Sequence, residues 1–166
     1  MKPQLSDRLD LAQRLKKNGK FKEAEAVFIE ILDLDDTHVH ALAGLGDIER
    51  KTKRFEDAVS HYRTCLGLDP ENRHALAGLG DAYRGLRDLN HALSVWLKCL
   101  KLYPDDYKLM TRVADGFKKE GDYGNAKMYY YAALKIRPSD MFALMGLGQL
   151  AVIENDPSLS EKPYTR

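Results

Sequence analysis

The segment "HALAGLGD" stands at residues 40 to 47 and again at 74 to 81, with a looser copy, "FALMGLGQ", at 142 to 149. The identical copies lie 34 residues apart, and sliding the whole chain by that distance aligns far more than eight letters. A fixed period of this size constrains the fold more than any other feature. Each period is one supersecondary unit, and a unit too small to bury its own apolar face does so by stacking on the next. Five phases result: 5–38, 39–72, 73–106, 107–140 and a half unit over 141–154. Each complete phase carries two blocks with helical spacing. In the third these are Leu76, Leu79, Ala82 and Tyr83, then Ala92, Leu93, Trp96, Leu97 and Leu100, either side of the polar stretch "GLRDLN". Pro70, Pro104 and Pro138 follow the second blocks, where a residue without an N–H ends a helix; Asp36 takes that place in the first phase.

Recurrent residue types fill recurrent positions. The second phase holds Leu42, Leu45, Gly46, Ala58, Tyr62 and Pro70, and the third Leu76, Leu79, Gly80, Tyr83, Ala92, Trp96 and Pro104. The fourth holds Met110, Val113, Ala114, Phe117, Ala126, Tyr130 and Pro138, and the first Leu11, Ala12, Leu15, Ala24 and Phe28. These offsets resemble the tetratricopeptide repeat, a helix-turn-helix unit, over residues 5–154. The resemblance implies an all-α, right-handed superhelical solenoid of four such units plus a C-terminal helix. It also implies a single domain over 5–154, followed by a polar tail from 155 to 166. Four positions depart from the pattern. Glu49 stands where an aromatic is expected, Arg8 replaces a large apolar residue, and Lys53 and Arg87 replace the turn glycine kept at Gly19 and Gly121.

The glycines are not a phosphate loop, which would follow a strand and end in Gly-Lys-Ser/Thr. Gly46, Gly80 and Gly148 instead take the family's small position inside the first helix, where the second helix crosses closely. Each costs roughly 1 kcal/mol of helix propensity, to be offset by packing. Gly44, Gly78 and Gly146, two residues earlier, are expected toward the concave surface, as bare groove floor or as a relic of duplication.

In the family the first helices line a concave groove that binds extended peptides or partner helices. Projected onto those offsets, one line reads Ser6, His40, His74, Lys108 and Phe142, and the next Leu9, Ala43, Ala77, Thr111 and Met145. A third reads Gln13, Asp47, Asp81, Asp115 and Gln149, and a fourth Lys16, Arg50, Arg84 and Lys118, flanked by Lys17, Lys51 and Lys119. The acidic and basic ladders admit two readings. Asp47–Arg50, Asp81–Arg84 and Asp115–Lys118 are three apart, so each can pair within its own helix for about 0.2–0.5 kcal/mol. Alternatively, the ladders select the charge and bond the backbone of a ligand. The terminal-carboxylate grip of chaperone-binding members is not matched. Lys108 and Arg112 fit, but Ala43, Asp47 and Gly78 stand where Lys, Asn and Asn are needed.

Charge and composition narrow the class. With 26 basic and 25 acidic residues the net charge is +1, which gives no general attraction to nucleic acid; RNA recognition by a helical repeat is a remote third reading. No uncharged apolar run reaches about 18 residues, and charges interrupt the N-terminal "MKPQLSDRLDLAQRLKKNGK", so neither membrane insertion nor a signal peptide is expected. The location expected is cytoplasmic.

No residue cluster reads as chemistry. His40 and His74 are expected about 8–10 Å apart on adjacent helices, too far to share zinc, and His38, His61 and His91 add no complete ligand set. Cys65 and Cys99, one period apart, read as small buried apolar residues. In the run Tyr129, Tyr130 and Tyr131 only Tyr130 falls on the repeat's aromatic position. The expectation is no enzyme, no cofactor and no metal.

The last helix, "MFALMGLGQLAVIEN", carries no charge from Met141 to Ile153. A helix apolar nearly all round needs cover on several sides. Leu159 and Tyr164 of the tail, another copy of the protein, or a further segment would each supply it. The function expected is therefore non-enzymatic interaction with a protein or peptide partner. Groove residues are His40, Asp47, Arg50, His74, Asp81, Arg84, Lys108, Thr111, Asp115 and Lys118, with Phe142 and Met145 as an apolar anchor. The alternative is a homo-oligomeric scaffold associating through the last helix, with Phe142, Met145 and Leu150 as contacts.

Overall fold

The computed structural model describes residues 3–155, and the described residues form nine α-helices and no strand. They are α1 (Pro3–Lys17), α2 (Phe21–Leu34), α3 (Val39–Lys51), α4 (Phe55–Leu68), α5 (Arg73–Gly85), α6 (Leu89–Leu102), α7 (Tyr107–Lys119), α8 (Tyr123–Ile136) and α9 (Met141–Asn155). Leu159 and Tyr164 lie outside the described residues.

The 34-residue period is written into the helix ends as well as their faces. His38, Asn72, Asp106 and Asp140, one per period, each accept the backbone N–H three residues on, at 3.2, 2.9, 3.0 and 3.0 Å. These bonds satisfy orphan donors at the starts of α3, α5, α7 and α9. The turns inside the hairpins repeat equally strictly. Gly19, Lys53, Arg87 and Gly121 have φ of 76, 62, 62 and 81°. Each is followed by an N–H that reaches five residues back, as in Lys20 to the Leu15 carbonyl (2.9 Å) and Asp122 to that of Phe117 (2.9 Å). A left-handed residue closed in this way terminates the first helix and turns the chain into the second. Glycine adopts it freely; Lys53 and Arg87 adopt it against the Cβ penalty.

The chain divides into two compact units, Met1–Ala92 and Leu93–Arg166. In the first, α1 packs on α2, α3 on α4, α2 on α3 and α4 on α5, while α1, α3 and α5 also lie side by side. Its core holds Ala12, Ala24, Phe28, Ile31, Ala41 and Ile48, all fully buried. In the second, α7 pairs with α8, and α9 covers both, closing on Ala114, Ala126, Tyr130, Ala133, Ala143 and Leu150. Full burial of a large apolar side chain contributes about 1.5–3 kcal/mol, so these repeat-to-repeat seams carry the stability that no single hairpin has.

The glycines divide as their offsets do, but not as expected. Gly46 does lie under its own second helix: a Cβ there would come within 2.8 Å of Tyr62 Cε1. Gly44, Gly78 and Gly146 are not bare groove floor. A Cβ on each would strike the aromatic ring of the preceding repeat's second helix, Phe28, Tyr62 and Tyr130 respectively. They are the seats of the inter-repeat aromatics, and the absence of a side chain there is a packing requirement.

Glu49, the departure from the aromatic position, is buried and bonded to His61 Nδ1 at 2.8 Å. Two periods on, the same two positions hold Phe117 and Tyr129, whose rings stack at 5.7 Å. One repeat thus replaces a ring stack by a carboxylate–imidazole pair between the same two helices. The Glu49 hydrogen bond raises His61 above its ordinary value of 6.5 despite partial burial.

Candidate functional site

A cleft of about 300 Å³ opens in the first unit between α1, α3 and α5, lined by Gln13, Lys16, His40, Asp47, Asn72 and His74 among others. Every one of these is on a first helix or caps one, which is where the repeat pattern directs the groove. His40 is exposed, its ring edge-on to His38 at 6.1 Å. The Asn72 amide is committed to capping α5 and to Asp69, at 2.9 Å each.

At the cleft floor Asp47 is 4% exposed and receives three donors from three helices. Lys16 Nζ of α1 donates at 2.5 Å, the Tyr62 hydroxyl of α4 at 2.7 Å, and His74 Nε2 of α5 at 2.8 and 2.9 Å to the two oxygens. Burial alone would raise the Asp47 carboxyl, but bonding and charge from His74 and then Lys16 outweigh it and hold the group well below the usual carboxylate range. The ionised carboxylate only accepts, so His74 Nε2 carries the proton in this contact. Burial, and then the neighbouring Asp47 charge, pushes the Tyr62 phenol far upward, which keeps it a donor.

The same arrangement recurs. Arg50 reaches Asp81 at 3.7 Å, and in the second unit Lys118 Nζ donates to Gln149 Oε1 at 2.6 Å. In each of these links a basic residue of one repeat pairs with the acid or amide 31 positions on, in the first helix of the next repeat. The Tyr130 hydroxyl donates to Asp115 as Tyr62 does to Asp47. Pairing within a helix also occurs, Arg84–Asp81 at 3.5 Å and Lys118–Asp115 at 3.3 Å. The ladders therefore tie neighbouring repeats together. Of the two readings the sequence left open, the intrahelical one is present and incomplete, and the inter-repeat tie is the part sequence reasoning missed.

This separates the expected groove residues that are buried from those that are exposed. Asp47 and Asp81 are 4% and 6% exposed and occupied by other side chains. Thr111 is buried and its hydroxyl donates to the Lys108 carbonyl at 2.8 Å. Arg50 and Lys118 retain 28% and 18% side-chain exposure, and Asp115 41%. His40, His74, Arg84 and Lys108 are exposed. At α9, Phe142 and Met145 are 72% and 57% exposed, but Leu150 is fully buried. Leu150 occupies the position of Ile48 three periods earlier and faces the preceding hairpin, so it is not a surface contact.

A second cleft, about 410 Å³, lies between α7 and α9 and is lined by Lys118, Lys119, Gln149, Val152 and Ile153. Cys65 is buried with its thiol pushed up to about 11 by burial and then by Asp69, which makes it a poor nucleophile. Among the described residues no three His, Cys, Asp or Glu side chains are placed to hold a metal ion, and no helix is long and apolar enough to cross a membrane.

Helical hairpins recurring every 34 residues, capped and turned alike, define an all-α helical-repeat protein. The tetratricopeptide repeat models match residues 9–72, 50–107 and 107–140, and the chain belongs to that family, whose members are protein-interaction repeats. Solved structures agree on the fold. The MamA protein is 18% identical with a TM-score of 0.82, covering 99% of this chain and 90% of that one. PilF of Pseudomonas aeruginosa is 17% identical with a TM-score of 0.83, covering 96% and 73%. YrrB, described as a TPR protein with an unusual peptide-binding site, is 19% identical with a TM-score of 0.71, covering 92% and 88%. No curated protein sequence matches the chain.

Proposed function

We propose that the chain is a non-enzymatic interaction module that holds an extended segment of a protein partner in the cleft between α1, α3 and α5. The observation that carries this is the preformed polar cleft itself. Its floor is fixed by the Lys16–Asp47–Tyr62–His74 network, while Gln13, His40 and the free edge of His74 remain to bond a peptide backbone. Membership in an interaction family and the peptide-binding site of the similar YrrB support the reading.

The test is affinity capture from cell extract with the native chain and with the Gln13→Glu and His40→Glu variants. Neither residue belongs to the Asp47 network, so far-UV circular dichroism and unfolding midpoint are expected to stay unchanged. A partner captured by the native chain and lost with both variants supports the cleft; one retained by both refutes it.

Exposure of Phe142 and Met145 favours a second reading, an assembly scaffold associating through α9. It predicts a mass that rises with concentration in light scattering and falls to the monomer on Phe142→Glu with Met145→Glu. A monomer at every concentration excludes it.

A further inference from the structure

The floor of the α1–α3–α5 cleft has its acceptors filled and donors to spare. Among the described residues Asp47 is the one carboxylate on the lining. An ionised carboxylate offers about four lone-pair sites. At Asp47, Oδ1 accepts from the Tyr62 hydroxyl and His74 Nε2, and Oδ2 from Lys16 Nζ and His74 Nε2, so both oxygens are occupied twice. The Asn72 amide is closed as well, its oxygen on the Ala75 N–H and its nitrogen on Asp69. Lys16 differs. Its ammonium carries three N–H groups and aims one at Asp47, while the side chain stays on the lining with 15% exposure.

Charge leans the same way. Beside the cleft, Arg50 and Arg84 both pair with Asp81, at 3.7 and 3.5 Å. Along these ties Lys16, Arg50 and Arg84 are three permanent cations on two carboxylates. The carboxylate side chains are 5% and 6% exposed, whereas those of Arg50 and Arg84 are 28% and 40% exposed. The charge that faces solvent is therefore positive. A cationic side chain entering the cleft finds the floor carboxylate already filled. A carboxylate finds the two remaining N–H groups of Lys16, with Gln13 and His40 on the lining and Ala43 and Gly44 adding almost no side chain to block it.

We propose that the segment held in the cleft presents an aspartate or glutamate, whose side-chain carboxylate is received by Lys16 Nζ with Gln13 and His40 as the rim. The inference rests on the cleft being the partner site and adds the partner's chemistry. It is not the terminal-carboxylate grip, whose Lys and Asn positions are held here by Ala43, Asp47 and Gly78. Lys16 itself is a poor place to test it, because its loss would strip Asp47 of a partner. Gln13 and His40 line the same cleft outside the Asp47 network, so their charge can be set without loosening the floor.

The probe is a phage library of random twelve-residue peptides joined to the coat protein through their C-terminal ends, so that every carboxylate of an insert is a side chain. It is panned on the whole chain, and the most enriched peptide is synthesised with an amidated end and titrated by fluorescence anisotropy. Selected inserts are expected to be enriched in Asp and Glu over the input. Replacing the shared acid of the peptide by its amide is expected to weaken binding about tenfold or more, as for a charge-assisted hydrogen bond. In the chain, His40→Lys and Gln13→Lys are expected to tighten binding and His40→Glu and Gln13→Glu to weaken it about tenfold. Lys98→Gln, exposed on α6 and equal to His40→Glu in its change of net charge, leaves binding intact. Inserts without acidic enrichment, or an acid-to-amide change without effect, overturn the inference; if Lys and Glu at both positions then weaken binding alike, the cleft stands as the partner site without this chemistry. Binding that survives all four substitutions overturns the inference and the cleft reading together. A library that yields no binder overturns the inference, and the capture experiment then decides the cleft by itself.

Discussion

Two glycines of α9, one turn of chemistry apart in what surrounds them, put the packing account to a quantitative test. At Gly146 an added Cβ lands on the Tyr130 ring, and that ring cannot swing away. Tyr130 is fully buried, its hydroxyl is held by Asp115, and Lys118 Nζ lies 5.8 Å from its centroid. Overpacking of this kind costs about 1–3 kcal/mol, against about 1 kcal/mol gained in helix propensity. Gly146→Ala is therefore expected to be neutral to about 2 kcal/mol less stable, and more where the hydroxyl–carboxylate bond is broken. At Gly148 nothing lies within 4 Å, so Gly148→Ala keeps the propensity gain, about 1 kcal/mol, without a clash. The two substitutions are the same chemical change in the same helix, so their difference isolates the clash at about 1–3 kcal/mol. Urea unfolding followed by circular dichroism measures it, with amide exchange of α9 reporting the local part, since a terminal helix of an array opens by itself. A Tyr130→Leu background should shrink the difference by giving the methyl group room. Gly146→Ala as stable as Gly148→Ala would refute the assignment of Gly146 as an aromatic seat.

The left-handed turns give a second prediction: Lys53→Gly and Arg87→Gly remove a Cβ penalty of about 1–2 kcal/mol, partly offset by the entropy of the unfolded glycine, so each is expected to raise stability by about 0.5–1 kcal/mol in urea unfolding. A third concerns pH. His61 titrates above its ordinary 6.5 in the folded chain because of Glu49, so its contribution is fully present below 6.5 and is lost as pH rises through the raised value. Unfolding midpoints of the native chain should fall across that window, and the pair Glu49→Phe with His61→Tyr, which installs the ring stack of the fourth repeat, should remove that component of the slope.

Most of the fold is legible in the sequence because it is periodic: the prolines, alanines and aromatics return at their offsets, and Lys53 and Arg87 stand out where Gly19 and Gly121 set the rule. The role of Gly44, Gly78 and Gly146 was less visible. An aromatic precedes each by sixteen residues, at Phe28, Tyr62 and Tyr130, but that offset acquires meaning only once a second helix is known to lean on the next repeat's first. The inter-repeat half of the ladders is hidden for a similar reason. Asp47 and Arg50 are three apart, a sufficient explanation in itself, and it hides Lys16 at 31 residues' distance. Short spacings are readable from one helix, whereas the longer offset requires α1 and α3 to lie side by side. Leu150 is fully buried because α8 covers one side of α9, which a helix uncharged all round does not reveal in its sequence.

The distinction between tie and selector decides how any groove mutation is to be read. An exposed intrahelical pair is worth about 0.2–0.5 kcal/mol, and its loss leaves the fold intact. Lys16 and Asp47, at 15% and 5% side-chain exposure, form a buried pair, and removal of one partner from such a pair costs about 3–5 kcal/mol because the other charge stays behind. Charge reversal at Asp47 or Asp81 would then abolish partner binding through the scaffold, whatever the partner touches. Asp47 and Asp81 are where the first unit is expected to be uniform, because each holds the basic residue 31 positions earlier in the preceding repeat. Selectivity has to come from groove positions that differ between repeats while leaving the joints alone. In the first unit Gln13 and His40, which line the cleft outside the Asp47 network, are positions of that kind. Partner recognition is accordingly expected to follow substitutions at Gln13 and His40, and loss of the folded state to follow those at Asp47 and Asp81.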